Sequence, residues 1–185
     1  MKPLVFCLFV ILHCIRADAQ DRLVTRNGSI SFYSKAPLED IEANTQTAVS
    51  VLDKKTGQIE FSVLIKSFTF DKALMQEHFN EDYLESDKFP KSTFKGHIEE
   101  LDKVSFDRDG KYTVSVAGEL TIHGQGRTLT TPVTFTILKG VALADSQFDI
   151  ALSDFNVAIP SFVKDKISKT VKIAVRLKYE DQARP

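Results

Sequence analysis

The sequence has no tryptophan and only two methionines and two cysteines in 185 residues. Both cysteines, Cys7 and Cys14, lie at the N-terminal end. If that end is a cleaved leader, the rest of the chain has no thiol, which excludes a disulfide framework, a thiolate metal site and a cysteine nucleophile. Histidine is scarce too. His78, His97 and His123 lie beyond the leader, and no two have the close spacing of a zinc helix or ribbon, so no metal is expected. An excess of charge of either sign is also missing. Removing Lys2, Arg16 and Asp18 from totals of 24 basic and 25 acidic residues leaves 22 and 24, a net charge of −2. With no basic stripe, there is no electrostatic case for nucleic acid. Long apolar runs are confined to Leu4–Ile15, shorter than the roughly 18 residues a membrane-spanning helix needs.

That run is informative for what it resembles. Lys2 supplies a positive start, Leu4–Ile15 a hydrophobic stretch of secretory length, and Ala17-Asp18-Ala19 a small-x-small cleavage site. The expectation is a leader over residues 1–19, a single domain over 20–185, and a secreted or periplasmic protein with no integral membrane segment once the leader is gone.

Period-two alternation dominates the remainder. Ile59, Phe61, Val63 and Ile65 alternate with polar residues, as do Tyr112, Val114, Val116, Gly118, Leu120 and Ile122, and again Val171, Ile173, Val175, Leu177 and Tyr179. Val133, Phe135 and Ile137, then Phe148, Ile150 and Leu152, repeat the pattern on shorter stretches. Hairpin signals stand at Asn27-Gly28, at Asp53–Gly57 and at Asp109-Gly110, and Gly124–Arg127 reads as a further connection between strands. Ala36-Pro37 ends the first strand region. Phe94–Phe106 reads as a strand broken near Glu99–Asp102, and Pro132 belongs at a strand start or bulge.

The period changes once. Leu74, Met75, His78, Phe79 and Tyr83 gather on one side of a helix of about three turns that Asp71 can cap and that ends before Pro90. Eight or nine strands with local connections and one helical insert predict an all-β, antiparallel up-and-down sheet. Alternation fits both a barrel and a sandwich, but strands as long as Ile41–Leu52 and Lys111–Ile122 favour a barrel, with the helix as a lid at one end.

The chemistry expected of such a barrel is binding. There is no G-x-S-x-G elbow and no triad spacing. The acidic cluster Glu77, Glu81, Asp82, Glu85 and Asp87 reads as a solvated helix face, and His97 as exposed. No catalytic residue and no cofactor are expected. An enzyme acting on a lipid or small apolar substrate through His78 or His123 is the alternative. The aromatic residues Phe68, Phe70, Phe79, Phe89 and Phe94 surround the helix, and Phe61, Phe106, Phe135 and Phe148 take inward strand positions. An ordinary packed core accounts for them as well as a cavity does. On the cavity reading, lumen and lid are lined by Phe61, Val63, Ile65, Phe68, Leu74, Met75, His78, Phe79, Val114, Val116, Leu120, Phe135, Phe148, Ile173 and Val175. His123 and Arg127 would then lie near a ligand's head group, and the small residues, Gly118 among them, would leave the room. On the cavity reading the expected partner is an apolar ligand; the oligomeric state stays open, a dimer included.

Particular motifs carry a resemblance. Leu74-Met75, Glu77-His78-Phe79, Tyr83-Leu84, Phe89-Pro90, Phe94-Lys95-Gly96 and the run G-E-L-T-I-H-G over Gly118–Gly124 resemble the YceI-like family, and the likeness extends from Gly28 to about Tyr179. It implies a lipocalin-like antiparallel barrel, export to a bacterial periplasm, and a long polyisoprenoid or related lipid held in the lumen. It implies no catalytic residues. After His123-Gly124 the chain departs from the family pattern with Gln125-Gly126-Arg127.

Overall fold

The computed structural model describes residues 21–161 and 167–181. The expected leader lies outside the described residues. Nine strands follow in order: β1 (Arg22–Lys35), β2 (Asp40–Asp53), β3 (Gln58–Leu64), β4 (Thr69–Phe70), β5 (Lys91–Ile98), β6 (Gly110–Ile122), β7 (Gln125–Leu138), β8 (Val141–Ala151) and β9 (Thr170–Asp181). The helix α1 (Ala73–His78) lies between β4 and β5. Every pairing is antiparallel. The order β1-β2-β3-β5-β6-β7-β8-β9 returns to β1, which closes an eight-stranded barrel, while two-residue β4 attaches to β2. The alternating apolar residues of β6, β7 and β9 turn inward, with Val114, Val116, Phe135, Ile137, Leu177 and Tyr179 buried.

The two ends of the barrel differ. One end is packed solid: Leu23, Leu52, Ile59, Ile98, Val114, Phe135, Ile137, Leu177 and Tyr179 form one cluster, sealed by Leu101, Val104 and Phe106 from the β5–β6 connection. The Phe106 ring meets Phe135 edge-on at 5.6 Å. The other end is notched twice. β3 and β5 have 7 and 8 residues, against 14 in β1 and β2, and β4 does not pair with β5. β7 pairs with β8 only from Val133 onward, so its first half has β6 alone as a neighbour. The helical insert covers the first notch, and Phe155 and Val157, buried against Leu120, fill the second.

Several expectations need correction. Asn27-Gly28 is not a hairpin turn: β1 runs through it, and the register against both β2 and β9 shifts there in a bulge. Two flanking strands outweigh a local turn preference. At Gly28 a Cβ would stand 2.5 Å from Leu177 Cδ2 and 3.1 Å from the Ala48 carbonyl oxygen, so the bulge brings backbone close against the core. Asp109-Gly110 is no tight turn either; Gly110 opens β6, and the Asp109 carboxylate accepts the Lys139 N–H at 2.8 Å. The stretch after Glu99 is not strand: Leu101–Lys103 forms a 3₁₀ turn, and Leu101, with Val104 and Phe106 after it, packs into the barrel end. Pro132 lies within β7, not at its start, and its missing donor falls where pairing with β8 stops. The helix starts with Lys72, not Asp71, at its N-cap, and after His78 it widens into a π turn over Phe79–Tyr83. Two-residue turns do occur at His123-Gly124 and Lys139-Gly140, where positive φ at both residues matches the twist of the flanking strands.

Candidate functional site

Behind the helical insert the barrel encloses a cavity of about 540 Å³, within the range of small-molecule sites. Its floor is Tyr179, Phe135, Leu177 and Ile59, where the packed end begins. The middle is walled by Val63, Val116, Leu120, Val133, Phe148, Ile173 and Val175. At the mouth stand Phe68, Phe70, Leu74, Met75, His78, Phe79 and Tyr83, with Glu39 and Lys72. Four phenylalanines gather there: Phe79 stacks on Phe32 at 5.4 Å and lies 5.0 Å from Phe70 and 5.8 Å from Phe68. These rings pin the insert to the small buried cluster of Ile30, Ala43, Ala48, Val63 and Phe68 at the edge of the hollow. α1 accordingly buries none of its own residues.

Polar groups in the lining are few, and Ser34, Thr131, Ser146 and Tyr179 among them are hydrogen-bonded. The Ser50 hydroxyl donates to the Glu60 carbonyl (2.9 Å), which leaves Tyr179 to donate its phenol proton to Ser50 at 2.8 Å. Burial pushes the Tyr179 pKa up to about 12. Ser146 donates to the Pro132 carbonyl at 2.9 Å with Thr131 Oγ1 beside it at 3.2 Å, and Ser34 accepts the Ser168 N–H. The charged groups of the lining, Glu39 and Lys72, form an ion pair across the rim at 2.6 Å, joining the β1–β2 hairpin to the start of the insert. Such a wall can take up apolar surface and offers no buried charge to a ligand.

Of the residues singled out in the sequence, Phe61, Val63, Ile65, Phe68, Leu74, Met75, His78, Phe79, Val116, Leu120, Phe135, Phe148, Ile173 and Val175 line this cavity. Val114 does not; it is buried in the packed end below the floor. Gly118 makes no room either. Gly96 and Gly118 are cross-strand partners, and the Phe94 ring folds over both, within 2.6 and 2.8 Å of where their Cβ atoms would be. Arg127 is exposed, with Nη1 on the Gly126 carbonyl, and Phe155 and Val157 pack against Leu120 between its strand pair and the lumen.

His123 is likewise outside the lining. Its Nδ1 lies 3.1 Å from the Phe155 carbonyl, its Nε2 2.8 Å from Glu85 Oε2, and Phe89 stands edge-on to its ring at 4.7 Å. It therefore joins the two segments that fill the notches. The hydrogen bond from His123 holds the Glu85 carboxyl below its ordinary range, with help from Lys88. His78 is exposed at the mouth, not on a packed helix face, because α1 faces a hollow. Ile30 and Phe32, which the sequence reading left out, line the cavity from β1. Their alternation with Ser29, Ser31 and Tyr33 was visible, but the apparent turn at Asn27-Gly28 cut the strand short. Phe155 and Val157 had no periodic signal to reveal them. Among the described residues, no group of three or more potential ligands is placed to hold a metal, and no helix is long and apolar enough to cross a membrane.

A closed eight-stranded barrel with one sealed end, a helical insert at the other and an apolar lumen defines a lipocalin-like protein. The chain belongs to the YceI-like family, whose domain model matches residues 22–179. Solved structures of similar fold include a polyisoprenoid-binding domain from Saccharophagus degradans (TM-score 0.77, 13% identity, 88% of this chain and 99% of that one). BcnA from Burkholderia cenocepacia is similar at TM-score 0.66 and 22% identity, with 82% and 95% covered. A YceI protein from Campylobacter jejuni is similar at TM-score 0.60 and 17% identity, with 76% and 85% covered. No curated protein matches the chain.

Proposed function

We propose that this chain is a periplasmic or secreted binding protein that carries a long-chain apolar ligand, a polyisoprenoid or related lipid, in the barrel lumen. The observation that carries the proposal is the cavity itself: about 540 Å³, apolar from floor to rim and open at one end. Each methylene moved from water into such a lumen is worth ~0.8 kcal/mol, so a long chain binds tightly with little help from its polar end. That end would rest at the mouth beside Lys72, Glu39 and His78. The Saccharophagus domain, of similar fold, is described as polyisoprenoid-binding, which favours the same ligand class here. The N-terminal leader pattern and a thiol-free domain support export.

A binding role is preferred to an enzymatic one because the histidine–carboxylate pair, His123 with Glu85, stands outside the cavity lining, while the histidine within it, His78, sits at the rim. No catalytic residue and no cofactor are assigned. The test is to purify the protein without detergent, extract it with organic solvent and analyse the extract by mass spectrometry, alongside Ile173→Trp. The expected result is a long-chain lipid from the wild type and at least a tenfold lower yield (about 1.4 kcal/mol) from a folded Ile173→Trp, whose indole would fill the middle of the lumen. Equal recovery from both, or none from the wild type even after incubation with lipid vesicles, would sink the proposal.

A further inference from the structure

Resting on that reading, we infer that the rim of the open end is a docking surface for a lipid bilayer, and that ligand passes between lumen and membrane while the two are in contact. Leu38, in the hairpin between β1 and β2, is 71% exposed, and Leu74, at the start of α1, is 61% exposed. They are the two most exposed of the large apolar side chains among the described residues. Both stand at the mouth: Leu74 lines it, and Leu38 adjoins Glu39, whose carboxylate crosses the rim to Lys72. The apolar wall of the lumen therefore continues, through Leu74, onto the outer surface at the mouth. The opposite end of the barrel is plugged by Leu101, Val104 and Phe106.

A lipid surface is the occupant that fits. A chain crossing water between membrane and lumen would lose about fourfold in population for every methylene wetted, so a route along contiguous apolar surface wins by a wide margin for a long ligand. A second copy of this chain fits poorly, because two leucine side chains supply a small fraction of the ~1,200 Å² that a stable interface buries. The charges flanking the two leucines in sequence are of both signs, Lys35, Glu39, Asp40, Asp71, Lys72 and Glu77, with acids in the majority and Glu39 paired to Lys72. Attraction to an anionic surface is thus not the driving force; insertion of the leucines at the interface is.

The probe is a pyrene-labelled long-chain alcohol loaded into the full chain. The loaded protein is mixed with phosphatidylcholine vesicles containing a quencher lipid, and the transfer rate is followed as vesicle concentration rises. The inference expects a rate proportional to vesicle concentration, and about a tenfold slower one for Leu38→Asp, with equal loading of the two proteins because Leu38 does not line the lumen. A rate that does not change with vesicle concentration means escape through water and overturns the inference while leaving the binding function intact. So does an unchanged rate for a folded Leu38→Asp. A wild type with twice the mass of Leu38→Asp by light scattering would place a second copy on this rim and also overturn it. Failure of the wild type to load any probe defeats the binding function first, and the inference with it.

Discussion

Tyr179 shows how far a single residue reports on the interior. Its ring closes the cavity floor, its hydroxyl donates to Ser50, and burial raises its pKa from 10.0 to about 12. Below pH 10 the phenol keeps its proton whether the chain is folded or not. Between 10 and about 12 only the unfolded chain releases it, so stability falls as pH rises through that window, by about 3 kcal/mol. Thermal melts from pH 9 to 12 should show this decline in the wild type and a shallower one in Tyr179→Phe; identical slopes would mean that the phenol is not sealed from water. The position of Tyr179 on the inner face was legible from its alternation with Lys178 and Glu180. Its partnership with Ser50 was not, since nothing local relates residues 129 positions apart.

Among the elements, β6 and β9 could be read almost directly, because strict alternation has only one folded meaning when one face is dry, whereas β7 and β8 were read only in part: Gln125–Arg127, expected in a connection, open β7, and β8 begins at Val141. The misread places share a cause. At Asn27-Gly28, at Asp109-Gly110 and at Pro132 a local turn or breaker preference was real, but neighbouring strands decided what the backbone did with it. The glycine pair of β5 and β6 belongs to the same class. Gly96 and Gly118 face each other, and a Cβ on Gly118 would stand 2.3 Å from the Lys95 carbonyl oxygen and 2.5 Å from Gly96 Cα. Backbone cannot move aside as a side-chain end can. Gly118→Ala should therefore destabilise the fold by about 2 kcal/mol or more, read as a lower urea midpoint with an unchanged slope. A midpoint like that of the wild type would show that the two strands have slack between them.

At the scale of the whole molecule, function follows from an asymmetry between the barrel ends. Long strands made closure legible in the sequence, and the helix motif placed the lid. Which end was sealed, and by what, was not legible: the plug of Leu101, Val104 and Phe106 comes from a connection without period, and the second notch exists because β7 and β8 part beyond Val133 and Ser146, β8 going on with β9 alone. Packing at one end and two notches at the other leave a hollow between Tyr179 and the insert. The measurement that tests this most directly is the electron density of the lumen in crystals of protein purified without detergent. The account predicts one continuous tube of density running from the Tyr179 ring to the mouth at Leu74. Isolated water peaks, or side chains meeting across the centre, would contradict it.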